Sequence, residues 1–498
     1  MFFSRLTTAQ SLLILVGMSL LIKMVMAWYL PITGDEAYFI VWGNHPDYGY
    51  YDHPPMVGWW LSGLLMVSDQ PLWLRLPTIL TTTLIGWVIY RLVLPRGTTN
   101  AVIAAGLYWL TPVHLLAPLI TTDVPLILFA FLSGVCFYKA QRHDRSGWYL
   151  LSGILLGLAF YSKFFAGMLG VAYVLYVLLF VRRGLRPYYG ILLVLLGTLP
   201  FIGLNLLWNY HHCWDNYLFN LQNRTGDFEF SIRTLGGYLL LLVYLITPPI
   251  VFYLLRRPAE ILRKIRDGGL GLFLALFLIP VTLFVFLATG KSIGLHWLLS
   301  FYPFLFIGIV LLLHFGQLRV SFYFMWGFAL LHVLAFVVVA FMLPGLFRDD
   351  EKTYKQIIYG MQTEKILQLV DAHRHHFTLA TPSYSQSAIL SYHAREHVIV
   401  MGPGSYHGRQ DDIITDMRKL NGKGIAILSF NDDVVNYAQF FDSFTHVLIP
   451  IEDVTYHLGI GVGFKYEVYD NEVLSKVRDK YYRIPDWLPS GSCYMHSR

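Results

Sequence analysis

Asp35, Glu36, Asp47, Asp52 and His53 fall within one stretch, TGDEAYFIVWGNHPDYGYYDHPPMVGWW (33–60), that contains neither lysine nor arginine. It follows directly on an apolar run long enough to cross a bilayer. Carboxylates so placed can serve as a general base toward an acceptor, or can orient hydroxyls and a divalent cation. Pro54 and Pro55 stiffen the backbone immediately after Asp52 and His53. The ordinary alternative is a solvated polar loop that keeps the preceding span from sliding.

Three further constellations carry chemistry. Asp123, in TTDVP (121–125), opens an apolar segment, where an acid is either a favourable dipole partner or a site residue. Lys163, in GLAFYSKFF (157–165), stands between two very apolar segments, as a snorkelling lysine or as a cation for a lipid-linked phosphate. Lys291 and His296 share TGKSIGLHW (289–297). Gly290-Lys291-Ser292 is not a P-loop, because the upstream glycine spacing is missing.

The chain that positions these groups has 498 residues, of which 56% are hydrophobic and 14% charged. A soluble protein carries about a quarter charged residues, so the class is a polytopic α-helical membrane protein. Window hydropathy predicts about eleven transmembrane helices, near 9–30, 71–93, 100–118, 121–138, 148–162, 165–181, 189–209, 236–255, 269–288, 297–315 and 321–343. The first is read as a retained anchor, since no small-residue cleavage site follows it.

Basic residues set the expected orientation. With the N-terminus cytoplasmic, beside Arg5, the inside loops hold Arg91, Arg96, Lys139, Arg142, Arg145, Arg182, Arg183, Arg186, Arg256, Arg257, Arg263, Lys264, Arg266 and Arg319. The opposite loops hold Lys163, Arg224, Arg233 and Lys291, with Arg75 at a span edge. This bias places 31–70 and everything after Phe347 on the far side, and with them all the acids, lysines and histidines singled out above. The net charge of +6 is spread over separate loops, which argues against a nucleic-acid partner.

Two regions are expected: a transmembrane domain over 1–347 with larger outside loops at 31–70 and 210–235, and an outside α/β domain over 348–498. The second is read from β-rich runs at 377–380, 397–401, 424–430 and 446–450 that alternate with helix-compatible stretches. The aromatic run Tyr38–Trp42 is expected as a short helix in the membrane interface. Cys136 lies in a span, while Cys213 and Cys493 both face outward and leave a disulfide open.

Asp35-Glu36 after the first span, the Tyr-Tyr-Asp-His-Pro-Pro block (50–55), Thr-Asp-x-Pro-Leu (122–126) and Gly-Leu-Ala-Phe-x-Ser-Lys (157–163) together resemble the bacterial GT-C glycosyltransferases. Within them they resemble the branch that contains the aminoarabinose transferase of lipid A and the protein O-mannosyltransferase-like proteins. The likeness runs in order through residues 1 to about 345, and the C-terminal α/β domain, then periplasmic, suits the same architecture.

The resemblance implies transfer of a sugar from a polyprenyl-phosphate donor, such as undecaprenyl phosphate, to a periplasmic-side acceptor. That acceptor is lipid A or lipopolysaccharide, another envelope glycan, or a protein. It matches Asp35 to the acid at the reaction centre, with Glu36 beside it and Asp123 as a later catalytic acid, and so makes the first outside loop, 31–70, catalytic. Asp52 and His53 match an acid–lysine pair before proline, with histidine in place of lysine. Lys163, Lys291 and His296 match the substrate-binding side, with histidine where that branch has tyrosine. No nucleotide is implied, membrane lipids are partners throughout, and the carboxylates leave room for a divalent cation. The competing readings are a transporter or lipid flippase, and a relative that binds lipid-linked sugar without transferring it. The first would place ionisable groups at mid-bilayer on broken helices, preferably with internal repeats.

Overall fold

The computed structural model describes residues 7–181, 184–220, 229–373, 376–489, 491 and 493–497. Arg5, Arg182, Arg183 and Arg224, used above for orientation, lie outside them. The chain divides into two compact units. One comprises Met1–Tyr29, Leu72–Leu204 and Asp227–Val338; the other comprises Leu30–Pro71, Asn205–Gly226 and Val339–Arg498.

The first unit is helical. Among the described residues, six helices of the chain are long and apolar enough to cross a membrane: Thr8–Tyr29, Pro71–Arg96, Asp123–His143, Arg186–His211, Gly271–Ala288 and Phe315–Met342. They coincide with six of the eleven expected spans. The other five are shorter or broken, and the sequence shows why. Ile232–Ile246 and Pro248–Leu255 meet at 107°, because Pro248 and Pro249 withhold two backbone donors and Thr247 turns the chain at φ 75°. Pro112 likewise restarts the chain after Thr98–Trp109. Ser146–Phe160 and Ala166–Phe180 hold 15 residues each and flank the loop that carries Lys163.

Small residues let these helices approach closely. Ser133 Oγ bonds the Ser152 carbonyl at 2.8 Å, Ser152 Oγ bonds the Ser133 carbonyl at 3.0 Å, and the Tyr173 hydroxyl joins at 2.8 Å. A Cβ at Gly153 would collide with the Val194 backbone. In an apolar surrounding, such contacts replace the hydrophobic drive that water supplies elsewhere.

The second unit is built on a five-stranded sheet: β1 (Thr378–Thr381), β2 (Ile399–Val400), β3 (Ile425–Ser429), β4 (Ser443–Ile451) and β5 (Val454–Val462). Its order is β2-β1-β3-β5-β4. β1 runs parallel to β2 and β3, with Ala380 opposite Ile399 and Ile427; β5 is antiparallel to β3 and β4. Alternation divides the sheet between two cores. Leu379, Ala426 and Leu428 pack with Ile366, Val370 and Leu390, whereas Ala380, Ile425 and Ile427 pack with Met401 and Phe440. Cys213 and Cys493 are joined by a disulfide, S–S 2.02 Å, which ties the chain's end to the 205–226 segment. Beside it, Tyr494 donates to Asp215 Oδ2 at 2.8 Å and Trp214 Nε1 to the Pro489 carbonyl at 2.7 Å. Cys136 is a buried free thiol in the helix Asp123–His143.

Candidate active-site residues

In the second unit, the helix Gly34–Asn44 starts at a full capping box. Thr33 Oγ1 accepts from Glu36 N at 3.3 Å, and Glu36 Oε2 accepts from Thr33 N at 3.1 Å and from Thr33 Oγ1 at 3.2 Å. Glu36 is 1% exposed, and its carboxylate caps the helix start. Asp35, one residue earlier in the same turn, is exposed. The first-turn amides favour its charge, and the Tyr384 hydroxyl donates to its Oδ1 at 3.4 Å. Thus one turn of helix gives two adjacent acids different surroundings, one buried in the cap and one facing solvent.

Asp52 and His53 stand in a braced loop. Tyr50 N donates to the His53 carbonyl at 3.0 Å, and Asn216 and Asn220 donate to the carbonyls of Tyr50 (2.9 Å) and Asp52 (3.0 Å). Gln410 accepts from Tyr51 N at 2.8 Å, while its own N–H donates to the Tyr38 hydroxyl at 3.2 Å. The rings of Trp42 and Tyr50 stack at 4.4 Å, with His53 edge-on to Trp42 at 6.1 Å. The helix expected over Tyr38–Trp42 forms, but not in the lipid interface: Tyr38, Phe39 and Trp42 are buried in protein, packed on one another and on Tyr50 and Tyr384.

Electrostatics join these pieces. Burial first, then the charges of Asp35 and Asp52, push the Tyr384 hydroxyl well above its ordinary pKa. Burial, followed by Asp52, does the same to Tyr38. Tyr384 therefore keeps its proton and acts as a donor to Asp35, in the field of Asp52. Tyr384 and Gln410 were invisible to motif reading, because they lie more than 300 positions away from the residues they touch (349 and 359 along the chain).

In the first unit, Lys163 Nζ lies 2.9 Å from both Oδ1 and Oδ2 of Asp123, with both side chains buried. Lys163 also stands over the Phe165 ring at 5.7 Å. Phe165 in turn meets Trp297 at 4.4 Å, which brings the Lys163 loop against the segment of Lys291 and His296. His296 occupies the short turn Leu295–Leu298 and is exposed; Lys291 is half-buried. Two cations were not singled out as site candidates. Lys23 is fully buried in the first span and donates to Thr82 Oγ1 at 2.9 Å, and Arg75, also fully buried, donates to the Ala27 carbonyl at 2.9 Å. A lysine inside an apolar run was the available signal for the first.

Among the described residues no three histidine, cysteine, aspartate or glutamate side chains gather as a metal-ligand set. Chemically, the second unit offers a solvent-facing carboxylate fixed by a helix start and a protonated tyrosine. The first offers a buried carboxylate–ammonium pair framed by aromatic rings.

Residues 52–208 match the family model described as dolichyl-phosphate-mannose-protein mannosyltransferase. Lipid A galacturonosyltransferase RgtD of Rhizobium johnstonii is 30% identical over 138 residues, covering 26% of this chain and 28% of the relative. YycA of Bacillus subtilis is 31% identical over 161 residues, 32% of this chain and 23% of that protein. The chain thus spans only about a quarter of the length of the curated relatives it matches. Crystal structures of ArnT from Cupriavidus metallidurans, bound to undecaprenyl phosphate and apo, superpose with TM-scores of 0.63 and 0.62. In both comparisons the identity is 16%, over 90% of this chain and 97% of ArnT. With six helices long and apolar enough to span among the described residues and a sheet-bearing C-terminal region, the chain is a multi-pass protein with the GT-C-type fold of ArnT, and its residues 52–208 are similar to the mannosyltransferase family model.

Proposed function

We propose that this protein is a glycosyltransferase of the bacterial inner membrane that moves a sugar from polyprenyl phosphate, in the simplest case undecaprenyl phosphate, to a periplasmic-side acceptor. Lipid A or lipopolysaccharide, another envelope glycan and a protein are the acceptor classes. The observation that carries the reading is Asp35: exposed, fixed at a helix start by the Glu36 cap, and bonded by Tyr384. The ArnT that shares its fold was crystallised with undecaprenyl phosphate, which supports the donor. The Cys213–Cys493 disulfide supports an oxidising compartment for the second unit. The N-terminus is then cytoplasmic.

Attack at the anomeric carbon expels a phosphate, so the transition state gains from cations at the departing group and from an oriented nucleophile. Lys163, sharing its charge with Asp123, is assigned to the phosphate, with Lys291, His296 and His53 as further donors. Asp35 takes the proton of a hydroxyl acceptor, or orients it, and Asp52 reinforces Tyr384 as the donor that holds Asp35 in place. Glu36 serves by fixing the turn. Residues 31–70 form the catalytic loop. Mass spectrometry of envelope glycolipids from a strain lacking this gene tests the reading. One class of molecule should lose a single sugar and regain it on complementation, whereas an unchanged glycolipid and glycoprotein profile would count against transfer.

A further inference from the structure

The sheet of the second unit has a reversal at its centre. β1 is flanked by β2 on one side and β3 on the other, all three parallel, so the segments leaving their carboxyl ends gather along one edge. The chain departs from β1 toward β2 and from β3 toward β5 and β4. In open α/β sheets that divergence opens a ligand crevice. A cavity of about 390 Å³ occupies this edge, within the size range of small-molecule sites. Its wall comes from all three segments: Ser383 and Tyr384 after β1, the loop Gly402–Arg409 after β2, and Asp433 and Tyr437 after β3.

Two glycines set that wall. Gly402 (φ 114°) and Gly408 (φ 66°) hold left-handed backbone, and a Cβ at either would collide with Tyr437 or Tyr384 respectively. The loop therefore lies directly against both tyrosines.

Charge decides what fits. Arg409 is the one lysine or arginine among the described lining residues, and its guanidinium is engaged within the loop. Nε donates to Asp412 Oδ2 at 2.7 Å, and Nη1 to the carbonyls of Pro403 (2.9 Å) and Ser405 (3.0 Å). Asp411, Asp412 and Asp433 stand in the same wall with His407; Asp412 is paired with Arg409 and Asp411 lies 2.8 Å from His397 Nε2, so a phosphate or carboxylate would still meet the negative charge of Asp433. A neutral polyol meets groups that keep acceptor capacity beside their internal bonds: Asp433, whose Oδ1 takes the Ser429 hydroxyl at 3.0 Å, Ser383 and Ser405, bonded to Ser385 and to the His407 backbone, and Tyr437, whose hydroxyl donates to the Met401 carbonyl at 3.0 Å, with tyrosine rings for the apolar face of a sugar. Tyr384, in the wall, also donates to Asp35. From this we infer that the cavity binds the neutral saccharide portion of the acceptor, beside the carboxylate that activates it. The inference rests on the proposed transfer reaction for the word acceptor; the saccharide site itself does not.

The test uses the full chain in lipid nanodiscs and saturation-transfer NMR with the methyl glycosides of glucose, galactose, mannose and N-acetylglucosamine. At least one glycoside should receive saturation, excess inorganic phosphate should not displace it, and Asp433→Ala should weaken it about tenfold, the loss of one charge-assisted hydrogen bond. Ser405→Trp, at an exposed loop position, should block it by filling the cavity. No binding by any glycoside, displacement by phosphate, or parental affinity in both folded variants would overturn the inference. In transfer assays both variants should raise the acceptor KM and leave the donor KM unchanged; the reverse pattern would also overturn it. Undecaprenyl phosphate binding in the same nanodiscs separates the two ideas. Saccharide binding without lipid phosphate binding sinks the reaction and keeps the site, and the opposite result keeps the reaction and removes the site.

Discussion

Glu36 and Asp35 are adjacent acids in different surroundings, one buried in a cap and one exposed, and the roles proposed for them can be told apart by substitution. Glu36→Ala removes both bonds that Oε2 makes to Thr33, at 3.1 and 3.2 Å, and opens the capping box of the helix Gly34–Asn44. Loss of such a cap costs about 0.5–2 kcal/mol, typically near 1. One kilocalorie lowers the ratio of ordered to frayed first turn about fivefold. Asp35 rides on that turn, so sugar transfer should fall by up to that factor, which is the limit reached if the turn is largely frayed, while the protein stays folded. Glu36→Gln keeps an acceptor at the same atom, and glutamine serves in capping boxes, so it should retain most of the parental rate. The assay is release of undecaprenyl phosphate from a lipid-linked sugar by purified variants, with thermal unfolding measured in parallel. If Glu36→Gln lost as much activity as Asp35→Asn at unchanged stability, Glu36 would act chemically and the division of labour would be wrong.

Lys163→Ala strands Asp123 in a buried position and should cost about 3–5 kcal/mol of stability, with Asp123→Ala added to it restoring most of the loss; a thermal-unfolding cycle in detergent checks this, and additive effects would refute the pairing. Cys493→Ser should destabilise the second unit by about 2–5 kcal/mol and expose the chain's end to proteolysis, while resistance equal to the parent would contradict the disulfide. Burial holds the His393 imidazole below its ordinary value of about 6.5, opposed in part by Glu364, 3.8 Å away. Neutral in the fold, His393 binds fewer protons than in the unfolded chain, so its contribution is present above about pH 6.5 and lost as pH falls through the lowered value. His393→Gln should flatten the melting temperature against pH in that acid window; an unchanged slope would dismiss it.

The sequence carried the composition-level features well. The runs at 377–380, 397–401, 424–430 and 446–450 became β1 to β4, because each is a short apolar β-branched or aromatic stretch. β5 went unread: VTYHLGIGV interrupts its alternation with two glycines, needed because Cβ atoms at Gly459 and Gly461 would collide with Phe444 and Phe441. Span lengths were overestimated at 236–255 and 100–118, where window averages pass over the breaks at Thr247 and Pro112. The site was legible as a set of residue types but not as contacts. That Glu36 closes a cap was written in Thr33-x-x-Glu36; that Tyr384 bonds Asp35 depends on chain folding across 349 positions, which no local pattern encodes.

The central claim is that Asp35 is the carboxylate on which sugar transfer depends. Purified parent and Asp35→Asn in nanodiscs, given undecaprenyl-phosphate-linked sugar and envelope glycolipid acceptor, test it most directly. Asparagine preserves the shape and the contact with Tyr384 but cannot take a proton, so the rate should fall by about 10²–10⁴ at unchanged melting temperature and donor binding. Transfer at the parental rate by the folded Asp35→Asn protein would contradict the account.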